Sequence, residues 1–336
     1  MIITRTPFRM SFFGGGTDIP EFFEKNRGAV ISTTFDKYAY VNVRHLPRFF
    51  DYTTELVYSQ TERVNSIEEI DHPAIRNAMK MLDMHELRLS YDADLPARTG
   101  LGTSSSFAVG MLNAFYCLKG KYRSKKELAD DAIYLERTLC NEAGGWQDQI
   151  AAAFGGLNRI DFDRHGYTVH PIIISPTRKK ELNRRLMLFF TGFTRNSSEI
   201  QKDLLAEKVD RKPSLEKILE MVDRAQEILE SPTSDFDDFG RLLNESWQLK
   251  KSLSSSVSTS AIDKIYERAL KAGALGGKLL GAGGGGFLLF YVPHGKRVPL
   301  RTELKDLLEV PFQFENEGTQ VFYYQPENYD VDGALD

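Results

Sequence analysis

The segment PARTGLGTSSS, Pro96 to Ser106, sets Gly100, Leu101 and Gly102 directly before the hydroxyl residues Thr103, Ser104, Ser105 and Ser106, where an apolar helical pattern begins. Glycines let the backbone approach an anion closely. Free N–H groups, hydroxyls and the positive end of a helix dipole converge at the same point, which suits a nucleotide phosphate. Serine or threonine there also suits Mg²⁺. On geometry alone the pattern reads equally as an N-cap with a serine-rich first turn. A second run, FFGGGTD, closes Gly14, Gly15 and Gly16 with Thr17 and Asp18. A carboxylate in that place would repel phosphate, so this loop has another use. A third, GAGGGG, fits G-x-G-x-x-G through Gly281, Gly283 and Gly286. Here a helical pattern precedes it and the strand pattern Phe287–Val292 follows, the reverse of the dinucleotide-binding order. No P-loop occurs, because Gly277-Lys278 is followed by Leu279.

Two acids stand near these loops in the sequence. Glu136 lies on a helix opened by a Ser124–Glu127 capping box, at the edge of the stripe Leu128, Ala132, Leu135 and Leu139, where a carboxylate could point into a cleft. Asp148 follows the Gly144-Gly145 turn, flanked by Gln147 and Gln149, which could hold it in place. Taken singly, Asp148 also reads as a helix cap and Glu136 as a solvated acid.

The elements that must position these groups divide the chain into two parts. Strand patterns run over Ile2–Phe13, Tyr38–Val43 and Leu87–Tyr91, and helical patterns over Ser104–Leu118, the capped segment after Ser124, and Gln147–Ala153. The pattern loosens between Pro171 and Lys180, giving expected domains 1–178 and 179–336. The second part reads as a strand over Arg185–Phe190, helices over Ser214–Glu230, Phe236–Leu253 and Ile262–Ala272, and a buried strand after the third glycine run. This order predicts a two-domain α+β sandwich.

Composition narrows the function classes. The 336 residues carry a net charge of -4, which gives no global attraction to nucleic acid or anionic lipid. Cys117 and Cys140 fall in helical patterns and read as small buried apolar residues. Arg5 and Arg9 interrupt the N-terminal apolar segment, so it is no signal peptide, and no window approaches the roughly 18 apolar residues of a membrane span. The expected location is the cytoplasm.

Taken together and in order, PFRMSFFGGGTD, PARTGLGTSSSFA and KLLGAGGGGFLL resemble the three motifs of the GHMP kinases, small-molecule kinases that include galactokinase and the homoserine, mevalonate and phosphomevalonate kinases. The resemblance extends from Pro7 to Leu289. It implies an N-terminal domain like that of ribosomal protein S5, a ferredoxin-like C-terminal domain, and Mg²⁺, ATP and substrate between them. Pro96, Gly100, Leu101, Gly102, Thr103, Ser104, Ser105 and Ser106 are then the ATP loop, with Thr103 where serine is commoner. Ser104 and Glu136 are the implied Mg²⁺ ligands, with Glu142 as the alternative acid. Asp148 matches a catalytic base, and Arg9 the basic residue beside it and the acceptor hydroxyl. Gly14, Gly15, Gly16, Thr17 and Asp18 fall on the acceptor side, with Gly283 and Gly284 of the third motif closing over it.

The same resemblance bears on the acceptor. Asp18 matches the galactokinase aspartate that binds sugar hydroxyls, whereas Gly15 replaces a sugar-binding glutamate, so a sugar other than galactose is implied. FFGGGTD with TGFTRNSSEI, Thr191 to Ile200, is most similar to the branch that phosphorylates the anomeric hydroxyl of D-glycero-D-manno-heptose 7-phosphate. A phosphorylated sugar needs cations, for which Arg195, Lys37, Arg44 and His45 are candidates. The alternatives are a kinase for fucose, an N-acetylhexosamine or galactose, and a non-catalytic sugar-binding regulator on the same fold. No oligomeric state is implied.

Overall fold

Two long strands, β1 (Ile2–Phe13) and β2 (Gly28–His45), pair antiparallel and form the spine of the computed structural model, which describes residues 1–192, 212–254, 256–281 and 283–326. β3 (Thr54–Val57), β4 (Thr61–Val64), β5 (Leu87–Ala93), β6 (Leu157–Asp163) and β7 (Gly166–Pro171) complete the first part of the chain. β8 (Leu186–Phe190), β9 (Gly276–Leu279), β10 (Phe287–Tyr291) and β11 (Leu308–Val310) form a separate antiparallel sheet in the order β11-β8-β10-β9. The chain then returns, and β12 (Phe314–Glu315) and β13 (Gln320–Tyr324) pair with β2 and β1, completing a nine-stranded sheet. Sheet membership therefore does not divide at residue 178.

Among the described residues the α-helices are α1 (Pro20–Phe23), α2 (Pro73–Leu82), α3 (Thr103–Leu118), α4 (Lys125–Ile133), α5 (Gln147–Phe154), α6 (Pro176–Arg185), α7 (Lys212–Glu230), α8 (Phe236–Leu253), α9 (Ser260–Lys271) and α10 (Arg297–Glu303). α4 begins with the expected capping box, in which Ser124 and Glu127 satisfy each other's backbone N–H groups. Two differences from the sequence pattern matter for the site. α4 runs into a π-helical turn at Tyr134–Leu139, closed by Cys140 N–H donating to the Leu135 carbonyl. And β9 separates the preceding helix from the third glycine run, making that run a connection between paired strands. Strand β10 follows the run and no helix does, so a dinucleotide fingerprint stays excluded.

Three cores explain the burial pattern. α2, α3, α4 and α5 pack on one face of the large sheet through residues such as Met79, Phe115, Leu128 and Ile150. A second core joins the two parts, with Phe8, Met10, Phe12 and Phe13 of β1 meeting Val222 and Phe239 from the helices α7 and α8, and Leu289 and Tyr291 from β10. Alternate residues Leu288 and Phe290 enter a third core with Ile262 and Leu300. The small sheet is thus covered on both faces, which accounts for its continuous apolar runs. Phe12 sits edge-on to Phe239 with centroids 5.5 Å apart.

Because Phe12 is fully buried in the core that both parts share, Phe12→Ala should destabilise the whole protein by about 3–5 kcal/mol. Urea unfolding checks this, and a loss confined to one of two separate transitions would contradict a shared core.

Candidate functional site

Strand alternation decides which residues of β1 face the loops. Phe8, Met10 and Phe12 enter the shared core, so Arg9 and Ser11 point to the other face, toward α3 and α5. Arg9 is only 4% exposed. Its Nε and Nη2 donate to the two carboxylate oxygens of Asp148 at 2.8 and 2.7 Å, and its Nη1 donates to the Gly100 carbonyl at 2.6 Å. Its backbone N–H also donates to the Leu101 carbonyl. One buried guanidinium therefore fastens the first strand, the Pro96–Ser106 loop and the N-terminal turn of α5 together. Asp148 keeps 28% of its side chain exposed, leaving a face for a ligand. The flanking glutamines do not hold it; Arg9 does.

The hydroxyls of the loop serve different ends. Ser104 is exposed and donates to Glu136 Oε1 at 2.9 Å, while Ser105 and Gln149 donate to Glu136 Oε2 at 2.7 and 2.5 Å. Ser106 turns away and donates to the Pro7 carbonyl, locking α3 to β1. Leu101 buries its side chain in the shared core, so only its backbone belongs to the loop. Pro96 is exposed, and its carbonyl accepts from Thr99 Oγ1.

Glu136 was expected at the edge of a regular helix, and the π turn instead carries it inside, where it is 2% exposed. Such turns recur at functional sites because they redirect a side chain. Burial, and next the charge of Glu142, push the Glu136 carboxyl up to about 7. Glu142 is itself raised by burial, and its backbone N–H donates to the Glu136 carbonyl. Its carboxylate makes no bond to Ser104 among the described contacts, which favours Glu136 over Glu142 beside the loop. One carboxylate and one serine hydroxyl suit Mg²⁺, which completes its shell with phosphate oxygens and water. Among the described residues, no group of three or more histidines, cysteines or acids forms a self-sufficient metal cage.

A second group of polar residues gathers around Asp18, whose carboxyl is close enough to feel the charge of Asp148. Asp18 is 3% exposed and accepts from the Gly16 N–H at 2.9 Å, while the Trp146 N–H donates to its carbonyl. Burial raises its carboxyl pKa despite the bond from Gly16, and Asp148 adds to the rise. A Cβ on Gly145 would lie 1.8 Å from Asp18 Oδ2, so glycine is required for this approach. Gly15 faces Ser11 and Gln147, whose Oγ and Oε1 atoms are buried without partners. Unpaired buried oxygens of this kind need a ligand's donors or water. By contrast, Thr17 spends its hydroxyl on the Gly14 and Ala29 carbonyls and is part of the loop's own framework.

The third glycine run packs on the Pro96–Ser106 loop backbone to backbone. A Cβ on Gly281 would lie 2.4 Å from the Gly100 Cα, and one on Gly100 would lie 2.2 Å from the Leu280 carbonyl. Gly283 and Gly284 lie elsewhere, against Val257, whose carbonyl accepts from the Gly284 N–H. A Cβ on Gly286 would lie 2.2 Å from the Thr99 carbonyl, so the contact with the Pro96–Ser106 loop belongs to Gly281 and Gly286. Lys250 and Lys278, which the sequence reading missed, also reach this region. Lys250 Nζ donates to the Gly281 carbonyl at 2.6 Å, and Lys278 Nζ to the Phe12 carbonyl at 2.9 Å. A lysine inside the apolar strand pattern GGKLL was the available signal for Lys278.

Of the other expected cations, Arg44 and His45 are not brought to the site. Arg44 and His45 end β2, roughly 30 Å along the strand from Thr34, the partner of Arg9, at ~3.3 Å per residue. Lys37 is paired with Asp36. Arg195 lies outside the described residues, as does most of Thr191 to Ile200.

Comparison with known proteins places this geometry in a family. Residues 68–156 match the model of the GHMP kinases N-terminal domain and residues 225–306 that of the GHMP kinases C-terminal domain. The chain is 32% identical to D-glycero-alpha-D-manno-heptose 7-phosphate kinase of Campylobacter jejuni over 90% of this chain and 93% of that protein. It is 25% identical to the bifunctional fucokinase/GDP-fucose pyrophosphorylase of Arabidopsis thaliana, over 92% of this chain but 31% of that longer protein. The crystal structure of a D-glycero-D-manno-heptose 1-phosphate kinase from Bacteroides thetaiotaomicron superposes with a TM-score of 0.78 at 25% identity, covering 96% of this chain and 99% of that one.

The position of Glu136 has a consequence for stability. A carboxyl whose folded pKa, about 7, stands above the ordinary 4.5 binds a proton on folding. Its contribution is therefore intact at low pH and is lost as pH rises through the folded value. Without Mg²⁺, Glu136→Gln should melt several degrees above the wild type at about pH 8.5 and close to it at about pH 5. Thermal melts across that range check it; a gap independent of pH would contradict the burial argument.

Proposed function

The chain belongs to the GHMP kinases, and we propose that it transfers the γ-phosphoryl group of ATP to the anomeric hydroxyl of a sugar, with D-glycero-D-manno-heptose 7-phosphate as the acceptor. The observation that carries this reading is the Arg9–Asp148 pair. It stands between a phosphate-suited loop and a pocket whose free polar atoms match a polyol.

Bound Mg²⁺·ATP supplies the electrophilic phosphorus and a leaving group whose charge the metal neutralises. Ser104 and Glu136 are the residues to hold the metal, and the N-terminal N–H groups of α3 face the phosphates. Asp148 accepts the proton of the attacking hydroxyl, and Arg9 fixes both carboxylate oxygens so that the open face of Asp148 meets the acceptor. Ser11, Gln147 and Asp18 line the acceptor side, where a sugar's hydroxyls can donate to the unpaired oxygens of Ser11 and Gln147. The carboxyl of Asp18 is largely committed to ordering the loop, so its contact with sugar is through whatever lone pairs the backbone leaves free.

Support for the heptose acceptor comes from the Campylobacter relative at 32% identity over nearly the whole of both chains. The Bacteroides structure is named for a 1-phosphate, so the two relatives differ in the phosphate their names carry. Similarity to the fucokinase supports a second reading, an unphosphorylated fucose-like sugar. No helix among the described residues is long and apolar enough to cross a membrane, and dependence on ATP supports a cytoplasmic activity.

ADP release with heptose 7-phosphate, heptose, heptose 1-phosphate, fucose, mannose, galactose and mevalonate tests the acceptor. Heptose 7-phosphate should give the highest kcat/KM; preference for an unphosphorylated sugar would overturn the substrate while leaving the kinase reading in place. Asp148→Asn should bind nucleotide within about threefold of the wild type and lose at least ~10³-fold in kcat. Near-normal turnover would remove Asp148 from the chemistry.

A further inference from the structure

Two lysines from the second part of the chain meet the site, and none of the roles assigned so far uses them. Lys250 comes from the last turn of α8 and Lys278 from β9. Each donates to one carbonyl, Gly281 and Phe12 respectively, and an ammonium has three protons. Both have Arg9 from β1 and Asp18 from the loop after it as charged neighbours, and Lys278 has Lys250 of α8 as well. Arg9 is already committed to Asp148 in a bidentate pair. Asp18 therefore faces two amines alone, and its carboxylate is partly satisfied by the Gly16 N–H. The buried centre holds Arg9, Lys250 and Lys278 against Asp18 and Asp148, leaving it short of negative charge. Burial and the neighbouring cations accordingly lower Lys250 to about 8 and drive Lys278 well below its usual range. Burying surplus positive charge is unfavourable unless a ligand supplies the anion.

Location says which anion. Lys250 touches Gly281, Gly281 rests on Gly100, and the Gly100 carbonyl accepts from Arg9 beside Asp148. The amine therefore lies where the ATP loop, the third glycine run and the base converge. We propose that Lys250 is a catalytic residue of phosphoryl transfer: one N–H holds the Gly281 carbonyl, and the others bind the oxygens of the phosphoryl group in flight. In that step the acceptor oxygen bonds to phosphorus, the bond from phosphorus to the ADP oxygen breaks with its electron pair leaving on ADP, and the acceptor proton goes to Asp148. Lys250 keeps its protons throughout. Lys278 is a positioning residue whose bond to the Phe12 carbonyl anchors the end of β1. The inference rests on the phosphoryl-transfer reading and is independent of which sugar is used.

The test compares wild type, Lys250→Met and Lys250→Arg in the full-length chain, with Lys250→Gln should the methionine variant not fold. Calorimetry measures binding of Mg·ADP alone and of Mg·ADP with aluminium fluoride, a mimic of the planar phosphoryl group, without any acceptor. Lys250→Met should bind Mg·ADP within about threefold of the wild type and lose at least ~30-fold of the tightening that fluoride gives, with Lys250→Arg recovering about tenfold. With the acceptor that the wild type turns over best, kcat should fall about 100-fold while the acceptor KM moves less than about threefold. Unchanged fluoride tightening would overturn the proposal, as would a proportional loss of Mg·ADP binding and melting temperature, which marks mere support of the loop. If the wild type uses no sugar, the acceptor reading fails on that result alone, and the fluoride comparison still decides Lys250.

Discussion

The bidentate pair between Arg9 and Asp148 is the contact on which the site depends. Asp148 belongs to the first turn of α5, Arg9 to β1, and the carbonyl of Gly100 to the ATP loop, and these three reach one point because a single guanidinium bonds all of them. A planar fork with fixed donor directions defines the relative orientation of its partners, which a lysine's point charge would not. Removing either partner would leave the other buried without its counter-charge, so the pair also resists drift within the cleft. The glycine contact between Gly100 and Gly281 builds on this arrangement. Two backbones can touch only if the Pro96–Ser106 loop is held still, and Arg9 holds it from one side while Lys250 fixes the facing glycine run from the other.

Around that pair the protein separates two chemical environments over a short distance. On the α3 side, Glu136 gathers the hydroxyls of Ser104 and Ser105 in a buried setting that raises its carboxyl to about 7. On the β1 side, Ser11 and Gln147 hold buried oxygens without partners beside the buried carboxyl of Asp18. Asp148 stands between them and is the more exposed of the central acids. The shared core keeps the two walls in register. Phe12 and Phe13 reach Phe239 of α8, the same helix that carries Lys250, so packing in the core sets where that amine lies.

What the sequence made legible was local. The two-domain α+β architecture, the phosphate-suited loop, the capping box and helix boundaries such as Phe236–Leu253 all follow from periodicity and from residue types with strong local preferences. The meeting of Arg9, Asp148 and the ATP loop came from family resemblance, because no spacing rule joins residues so far apart in the chain. Other features were illegible for identifiable reasons. The π turn moves Glu136 inward, and a reading at 100° per residue assumes a regular helix. Lys250 stands beside Lys251 at a helix end, a pattern that reads as solvated, and only tertiary packing turns Lys250 to the Gly281 carbonyl while Lys251 pairs with Asp263. β9 is four residues long, too short for its period to show beside the glycines. The return of β12 and β13 to the large sheet is a long-range pairing that composition does not mark.

The bidentate bond makes Arg9 and Asp148 one unit, and their effects on turnover should be those of one unit. A double-mutant cycle on kcat, with Arg9→Met, Asp148→Asn and the pair together, measures it directly. Residues that act as a unit are strongly non-additive. The double variant should therefore be slower than the worse single variant by no more than about threefold. Additive losses, with the double variant slowed by the product of the two single effects, would contradict it.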